Sequence, residues 1–191
     1  SGRPMIDRFK FYPVTPGRLA DLEEFSCAHG KYRYCSCMRW RLKSSVFSKA
    51  TKAERIAMLE RRIYDGIPSG VLAYANNVPI GWCSVGPRVS FEGLEASRVL
   101  PRIDDLPVWA VTCFFIDRTY RRQNLSLDLL RAAVGYARDE GAPGVEGYPV
   151  PPDATSYTYM GRISTFAKAG FEDVTPPGEK RTVMRLMLAR N

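Results

Sequence analysis

The stretch that most constrains the fold covers residues 108–130 and reads VWAVTCFFIDRTYRRQNLSLDLL. Its first part predicts a buried strand over residues 108–116, and apolar residues at helical spacing predict a helix over residues 123–140. The first amides of a helix have no acceptor within the helix, and the helix dipole places partial positive charge there. The adjacent Arg121 and Arg122 add further charge. We therefore expect a phosphate group to bind at this turn.

The length and composition indicate a single domain over residues 1–191, since 191 residues with 45% hydrophobic side chains can bury one core. No apolar run is long enough to span a membrane, and no apolar N-terminal segment indicates a secretion signal. With five cysteines, an odd number, we expect reduced thiols in the cytoplasm. The net charge of +8 favours anionic partners. Residues 1–4 precede Met5 and are treated as a candidate cloning remnant.

Strands and helices are mixed along the chain without strict alternation. A two-asparagine turn over residues 75–78 predicts a β-hairpin. Apolar periodicity predicts strands over residues 9–14, 71–74, 79–85, 108–116, 145–150 and 182–188. It predicts helices over residues 48–65, 123–140 and 156–169, besides one that begins near Pro16. The pattern indicates an α+β fold with a mixed, mainly antiparallel sheet, flanked by helices and containing one crossover helix.

Three motifs carry a resemblance to a known family. Residues 121–126, RRQNLS, follow a strand and open a helix, as does the pattern Arg/Gln-x-x-Gly-x-Gly/Ala. Residues 166–171, FAKAGF, resemble a helix that ends in aromatic-x-x-x-Gly-Phe, and Gly81 and Trp82 lie in the predicted hairpin. Over about residues 70–188 the chain resembles the GNAT N-acetyltransferase family.

The resemblance implies an acyltransferase that uses acetyl-CoA and transfers the acetyl group to an amine. In this family the central strand, here residues 114–116, separates from the next strand, here residues 145–148, and pairs with the pantetheine arm of the cofactor. The residues implied in cofactor binding are Phe114, Phe115, Ile116, Arg121, Arg122, Gln123, Asn124, Leu125, Ser126 and Phe166.

The phosphate-binding motif departs from the family pattern because Asn124 and Ser126 replace both glycines. After glycine, asparagine tolerates left-handed backbone geometry best. Serine adds only a small hydroxyl, which can itself donate to a phosphate. We expect an intact but modified site, and the alternative is an ordinary helix start with a solvated arginine pair.

The proton chemistry also departs from the family pattern. Phe166 stands where relatives have a tyrosine that protonates the leaving thiolate. The strand over residues 108–116 offers no base, whereas Glu146 and Tyr148 are two residues apart and share one face of the next strand. Glu146 is the candidate general base, and Tyr148 or Tyr159 could protonate the thiolate. The alternatives are a salt-bridged glutamate, packing aromatic residues and a thiolate that departs without help.

Asp104 and Asp105 form a carboxylate pair just before the central strand. Such a pair could bind a cationic acceptor amine. Adjacent aspartates are also common in solvated turns. We carry both residues as candidates for acceptor binding.

The cysteines near the N-terminus raise the question of a metal site. Cys27, His29, Cys35 and Cys37 supply four zinc-type ligands within eleven residues. The single-residue gaps between paired ligands are shorter than structural zinc sites use, so we predict no metal. Small buried thiols packed near Trp40 are the preferred interpretation.

The choice of partner remains open at the level of sequence. Basic residues concentrate between residues 39 and 62, but they are most simply a solvated helix face, and no nucleic-acid-binding motif accompanies them. We expect a small-molecule amine acceptor, because the cysteine- and aromatic-rich segment and the loop over residues 87–106 can wall a closed pocket. The alternatives are a protein N-acetyltransferase, or a non-catalytic module that binds acyl-CoA or nucleic acid. A homodimer also remains open.

Overall fold

The computed structural model describes residues 8–29 and 37–189. These residues form one seven-stranded sheet in the order β1-β2-β3-β4-β5-β7-β6. The strands are β1 (Lys10–Pro13), β2 (Gly70–Ala75), β3 (Val78–Pro87), β4 (Trp109–Ile116), β5 (Gly144–Gly147), β6 (Glu172–Asp173) and β7 (Met184–Met187). Every neighbouring pair is antiparallel except β4 and β5, which are parallel. The prediction of a mixed, mainly antiparallel sheet is therefore confirmed.

The helices lie on both faces of the sheet. They are α1 (Leu19–Ala28), α2 (Ser44–Lys49), α3 (Lys52–Tyr64), α4 (Glu92–Glu95), α5 (Leu125–Asp139) and α6 (Ile163–Lys168). The crossover helix α5 connects the parallel pair β4 and β5, as predicted. Among the described residues, no helix combines the length and the apolar character needed to cross a membrane.

Amphipathic helices bury each face of the sheet against a core of its own. On one face α5 places Leu129, Leu130 and Ala133 against strand residues such as Val111. The residues that pack on the opposite face from α1 and α3 are Leu22, Phe25, Leu59 and Ile63, which surround Trp82 of β3. The sheet is thus the middle of three layers, with helices packed on both of its faces.

The hairpin between β2 and β3 turns at Asn76 and Asn77, whose φ angles are 49° and 62°. Two successive residues with positive φ are what a two-residue hairpin turn requires, and asparagine tolerates this geometry. The predicted hairpin is confirmed.

Two predicted helices are wrong in their extent. The helix expected over residues 48–65 is divided into α2 and α3, because Ala50 is extended and Thr51 begins a capping box with Glu54. The helix expected over residues 156–169 is reduced to α6. Gly161, with φ at 98°, ends a preceding 3-10 turn over Thr158–Met160.

Candidate active site

The central strand β4 separates from β5 after a short paired segment. The two strands pair only from Trp109 with Val145 to Val111 with Gly147. The remainder of β4, from Cys113 to Ile116, stays paired with β3 on its other side. Its free edge has no strand partner within residues 8–29 and 37–189. The predicted separation of these strands is therefore confirmed.

A β-bulge at Thr112 changes the direction of the side chains along β4. Cys113 pairs with Ser84, but Val111 pairs with the adjacent Val85, so Thr112 has no counterpart on β3. Its hydroxyl donates to Ser84 Oγ at 3.0 Å. The extra residue interrupts the alternation of the strand, as bulges do. As a result Val111 and Phe114, three residues apart, both pack in the core beneath α5.

The separated strands open a cleft of about 600 Å³. One wall is the free part of β4, a second is the segment that leads into α6, and one end is the start of α5. The lining residues are Cys113, Phe114, Phe115, Ile116, Arg121, Ser126, Thr158, Tyr159, Gly161, Arg162 and Thr165. None of these is an aspartate or a glutamate, so the described part of the chain gives this cleft a basic lining.

The N-terminus of α5 faces one end of this cleft. Asn124, at the helix N-cap, has φ at 58°, the left-handed geometry expected of the residue that replaces the first motif glycine. The first hydrogen bond within the helix runs from Asp128 N to Asn124 O, so the amides of residues 125–127 precede the intrahelical ladder. Arg121 lies beside them, and its Nε donates to Ile116 O at 3.2 Å. The arrangement suits a polyphosphate.

Several residues predicted to bind the cofactor do not line the cleft. Leu125 and Phe166 are buried in the core, where Phe166 packs closely against Gly147. Arg122 is exposed outside the cleft with φ at 65°, and Gln123 donates from Nε2 to Thr119 O. We therefore correct these side-chain assignments: Phe166 supports the cleft from beneath, and Leu125 can offer only its backbone amide.

The candidate base Glu146 is part of a buried ion-pair network. Its side chain is 1% exposed, and its Oε2 accepts from Arg185 at 2.5 and 2.9 Å. Its Oε1 accepts from the Tyr148 hydroxyl at 3.0 Å. Both carboxylate oxygens are thus engaged by protein donors, away from the cleft lining. We correct the prediction accordingly and assign Glu146 to structural stabilisation.

Tyr148 belongs to the same network and is also corrected. Its hydroxyl accepts from Arg88 Nη1 at 2.6 Å while it donates to Glu146. Burial raises the pKa of Tyr148 far above its usual range. The Arg88 guanidinium also donates to Leu94 O and Leu100 O, so it tethers the loop over residues 87–106 to β5.

The predicted acceptor-binding aspartates lie on the far side of this network. Asp104 accepts from Arg185 Nη1 at 2.6 Å and Nη2 at 3.1 Å, and these hydrogen bonds lower the pKa of Asp104. Asp105 is exposed. Neither residue lines the cleft, because the charge of Asp104 is used to neutralise Arg185. We correct both assignments.

Tyr159 is the candidate for proton donation that the fold places in the cleft lining. Burial raises the pKa of Tyr159, which keeps the phenol protonated. The thiol of Cys113 lies near enough to contribute to the same shift. A protonated phenol beside β4 can supply a proton to a leaving group held there.

Tyr159 belongs to a cluster of aromatic and arginine side chains that the sequence did not reveal. The rings of Trp40 and Tyr157 lie 5.9 Å apart, and those of Tyr157 and Tyr159 lie 6.2 Å apart. Arg39 lies 4.9 Å from the Trp40 ring centre, and Arg181 lies 4.8 Å from that of Tyr157. The members come from three separate segments of the chain, so no local pattern marks them. We call these five residues the aromatic-arginine cluster.

The cysteines and the histidine that raised the metal question engage other partners. Cys37 is buried, and a hydrogen bond with Cys113 lowers the pKa of its thiol. The His29 ring lies between two acceptors, Phe25 O at 2.7 Å and Asp117 Oδ2 at 2.6 Å. Cys35 lies outside the described residues. Within those residues, no group of three or more His, Cys, Asp or Glu side chains could hold a metal ion.

Comparison with solved structures shows the same fold in several acetyltransferases. A polyamine N-acetyltransferase from Drosophila melanogaster is 13% identical with a TM-score of 0.56, over 94% of this chain and 100% of that one. The PaiA N-acetyltransferase from Thermoplasma acidophilum, solved with coenzyme A, is 12% identical with a TM-score of 0.53, over 94% and 99%. The aminoglycoside acetyltransferase AAC(6')-Ib, also solved with coenzyme A, is 17% identical with a TM-score of 0.54, over 94% of each chain.

Sequence comparison identifies the family. No curated protein sequence matches this chain significantly. The sequence model of the Acetyltransferase (GNAT) family, however, matches residues 35–154, which is more than half of the chain. The match includes β4, the turn with Arg121 and Asn124, and the whole of α5. The chain therefore belongs to the acetyltransferase (GNAT) family.

Proposed function

We propose that this chain is an acetyl-CoA-dependent N-acetyltransferase that acetylates the amine of a small molecule. The observation that carries the proposal is the cleft between β4 and β5, which ends at the N-terminus of α5. Structural neighbours support the choice of acceptor, since one acts on polyamines and another on aminoglycosides. Two further observations support the proposal: the chain belongs to the acetyltransferase family, and its cleft has a volume that suits a small ligand.

The residues present fit acetyl-CoA. The amides of residues 125–127 and the guanidinium of Arg121 would hold the pyrophosphate, as helix N-termini do. The free edge of β4 from Cys113 to Ile116 offers unpaired backbone groups to the amides of the pantetheine arm. When bound, acetyl-CoA would supply the acetyl thioester that the amine attacks.

The lining of the cleft determines how protons move. No carboxylate lines its described part, so we assign removal of the ammonium proton to solvent rather than to Glu146. The neutral amine would then attack the carbonyl carbon of a bound acetyl thioester, with the C–N bond forming and the C–S bond breaking. The nitrogen would release its second proton to solvent as the amide forms. Tyr159 then donates its phenolic proton to the sulfur and is reprotonated from solvent.

Replacing Arg121 with alanine tests the cofactor half of this proposal. A charged hydrogen bond to phosphate contributes about 1.5–3 kcal/mol, so Arg121→Ala should weaken coenzyme A binding by about tenfold or more. Isothermal titration calorimetry measures the change. Arg138→Ala is the matched control, because it removes the same charge at the opposite end of α5. Equal affinity in the two variants would contradict the placement of the pyrophosphate.

Replacing Tyr159 with phenylalanine tests the proton donor. Loss of a positioned general acid lowers kcat by about 10²–10⁴-fold, while coenzyme A affinity should be unchanged. Because burial raises the pKa of Tyr159 above that of an ordinary tyrosine, the wild-type rate should decline only at strongly alkaline pH, where the phenol ionises. The phenylalanine variant should lack this alkaline decline. A variant with the kcat and pH profile of the wild type would show that the thiolate departs without help.

A further inference from the structure

We infer that the acceptor carries an anionic group, a carboxylate, beside its amine, and that Arg39 and Arg181 of the aromatic-arginine cluster select for it. This inference rests on the proposed function and names the class of its substrate. It would make the acceptor an amino-acid-like molecule with an apolar or aromatic body, in contrast to a polycationic amine.

The position of the cluster places it beside the reacting end of the cleft. Tyr159 lines the cleft with Cys113, at the end of the free β4 edge that is remote from Arg121. The ring of Tyr157 lies 6.2 Å from that of Tyr159, and Arg181 lies 4.8 Å from the Tyr157 ring centre. Arg39 lies 4.9 Å from the ring centre of Trp40, the next ring of the cluster. An acceptor whose amine reaches the thioester from this side would meet them.

Within residues 8–29 and 37–189, neither of the two arginines has an anionic partner. None of the ion pairs formed within the described residues includes Arg39 or Arg181. Arg181 donates from Nη2 to Tyr148 O at 3.0 Å, whereas its buried Nη1 has no hydrogen-bond partner among those residues. A buried donor without a partner is costly, and a carboxylate beside this guanidinium would satisfy it.

The distribution of carboxylates makes a polycationic acceptor a poor match. The nearby acidic side chains are committed elsewhere: Glu146 and Asp104 pair with Arg185, and Glu95 pairs with Arg88. The cleft lining itself contains Arg121 and Arg162. A second positive charge on the acceptor would be repelled, whereas a carboxylate would be attracted.

The rings of the cluster can hold the body of such an acceptor. The rings of Trp40 and Tyr157 are tilted by 42°, and those of Tyr157 and Tyr159 meet edge to face at 63°. Tyr157 and Tyr159 are only half-buried. Half-buried aromatic rings offer apolar contact area at low entropic cost. The combination of rings and guanidinium groups fits an aromatic amino acid better than a flexible polyamine.

The test compares two acceptors that differ only in the anionic group, with agmatine as a third, dicationic acceptor. L-Phenylalanine, L-phenylalaninamide and agmatine are each supplied with acetyl-CoA, and product is quantified by mass spectrometry. Values of kcat/KM are expressed per concentration of neutral amine, because the carboxylate also changes the amine pKa. We expect kcat/KM for phenylalanine to exceed that for its amide by about 10- to 100-fold, the usual effect of a charged hydrogen bond. Agmatine should be the poorest acceptor.

Variants assign the effect to the cluster. Arg181→Met and Arg39→Met should each remove most of the preference for phenylalanine over its amide, while Arg181→Lys should retain part of it. Arg138→Met, at the far end of α5, is the control of equal charge and should leave the preference unchanged. Calorimetry of N-acetyl-L-phenylalanine and its amide on the coenzyme A complex gives the same comparison without turnover.

The outcomes separate this inference from the proposed function. A preference for phenylalaninamide or agmatine, or equal binding of the two acetylated products, overturns the inference and leaves the acetyltransferase intact. Absence of both binding and acetylation for the phenylalanine pair also overturns it. Failure of the wild-type protein to bind coenzyme A would instead overturn the proposed function.

Discussion

Replacement of Ser126 with glutamate should abolish most coenzyme A binding without unfolding the protein. The new carboxylate would stand in the first turn of α5, where the pyrophosphate is proposed to lie. Two like charges about 4 Å apart repel by about 4 kcal/mol at the effective dielectric constant of a protein surface, so we expect a loss of at least about a hundredfold. The same carboxylate favours the helix dipole, so thermal stability should be unchanged or slightly higher.

The matched control is Ser126→Gln, which adds a side chain of the same size without charge. Calorimetry with coenzyme A and a thermal melt of each variant separate electrostatic from steric effects. If the glutamate variant binds coenzyme A as well as the glutamine variant does, the phosphate site is not at this helix terminus.

Replacement of Glu146 with glutamine should destabilise the fold severely. The change leaves Arg185 and Arg88 beside a neutral amide in the interior, and breaking a buried ion pair in this way costs about 3–5 kcal/mol. For a domain of this size that corresponds to a decrease in Tm of about 6–20 °C. Differential scanning calorimetry at neutral pH measures it.

The double variant Glu146→Gln with Arg185→Met is the control, because it also removes the charge of Arg185, which the single variant leaves beside a neutral amide. Its Tm should be higher than that of the single variant. A single variant whose Tm stays close to the wild-type value but whose kcat declines a hundredfold would restore Glu146 as the general base.

Local backbone chemistry is what the sequence predicted best. The left-handed geometry of Asn124 and the asparagine turn at residues 76–77 follow from the intrinsic tolerance of asparagine for positive φ, which does not depend on distant residues. The separation of β4 from β5 was predicted by family resemblance. These features depend on short segments, which sequence patterns describe well.

The roles of individual side chains were predicted less well, because they depend on distant partners. Spacing correctly indicated that Glu146 and Tyr148 share a face, but the residues that complete the network, Arg88 and Arg185, lie about 60 and 39 positions away. No periodicity reveals such contacts. The same limitation hid Arg181, whose neighbours Tyr148 and Tyr157 come from other segments.

Helix boundaries show a third kind of limit. The capping box that begins at Thr51 was present in the sequence, yet the apolar periodicity continued across it and suggested a single helix. In the other case Gly161 adopts φ at 98°, a conformation that glycine permits but does not require. Periodicity therefore overestimated both helices, because it does not register where the backbone turns.

The three residue pairs between β4 and β5 are the narrow seam that joins two half-sheets, β1 to β4 on one side and β5, β7 and β6 on the other. A ligand in the opening beyond that seam would contact β4 on one side and, on the other, the segment over residues 158–165, which follows β5 in the chain. It would thus act as a non-covalent cross-link between β4 and the part of the chain that continues from β5. We therefore expect bound coenzyme A to slow amide hydrogen exchange in β4, which it would contact directly, and also in β5 and β7, which it would not contact. Bound substrate would then contribute part of the stability of the junction between the two half-sheets.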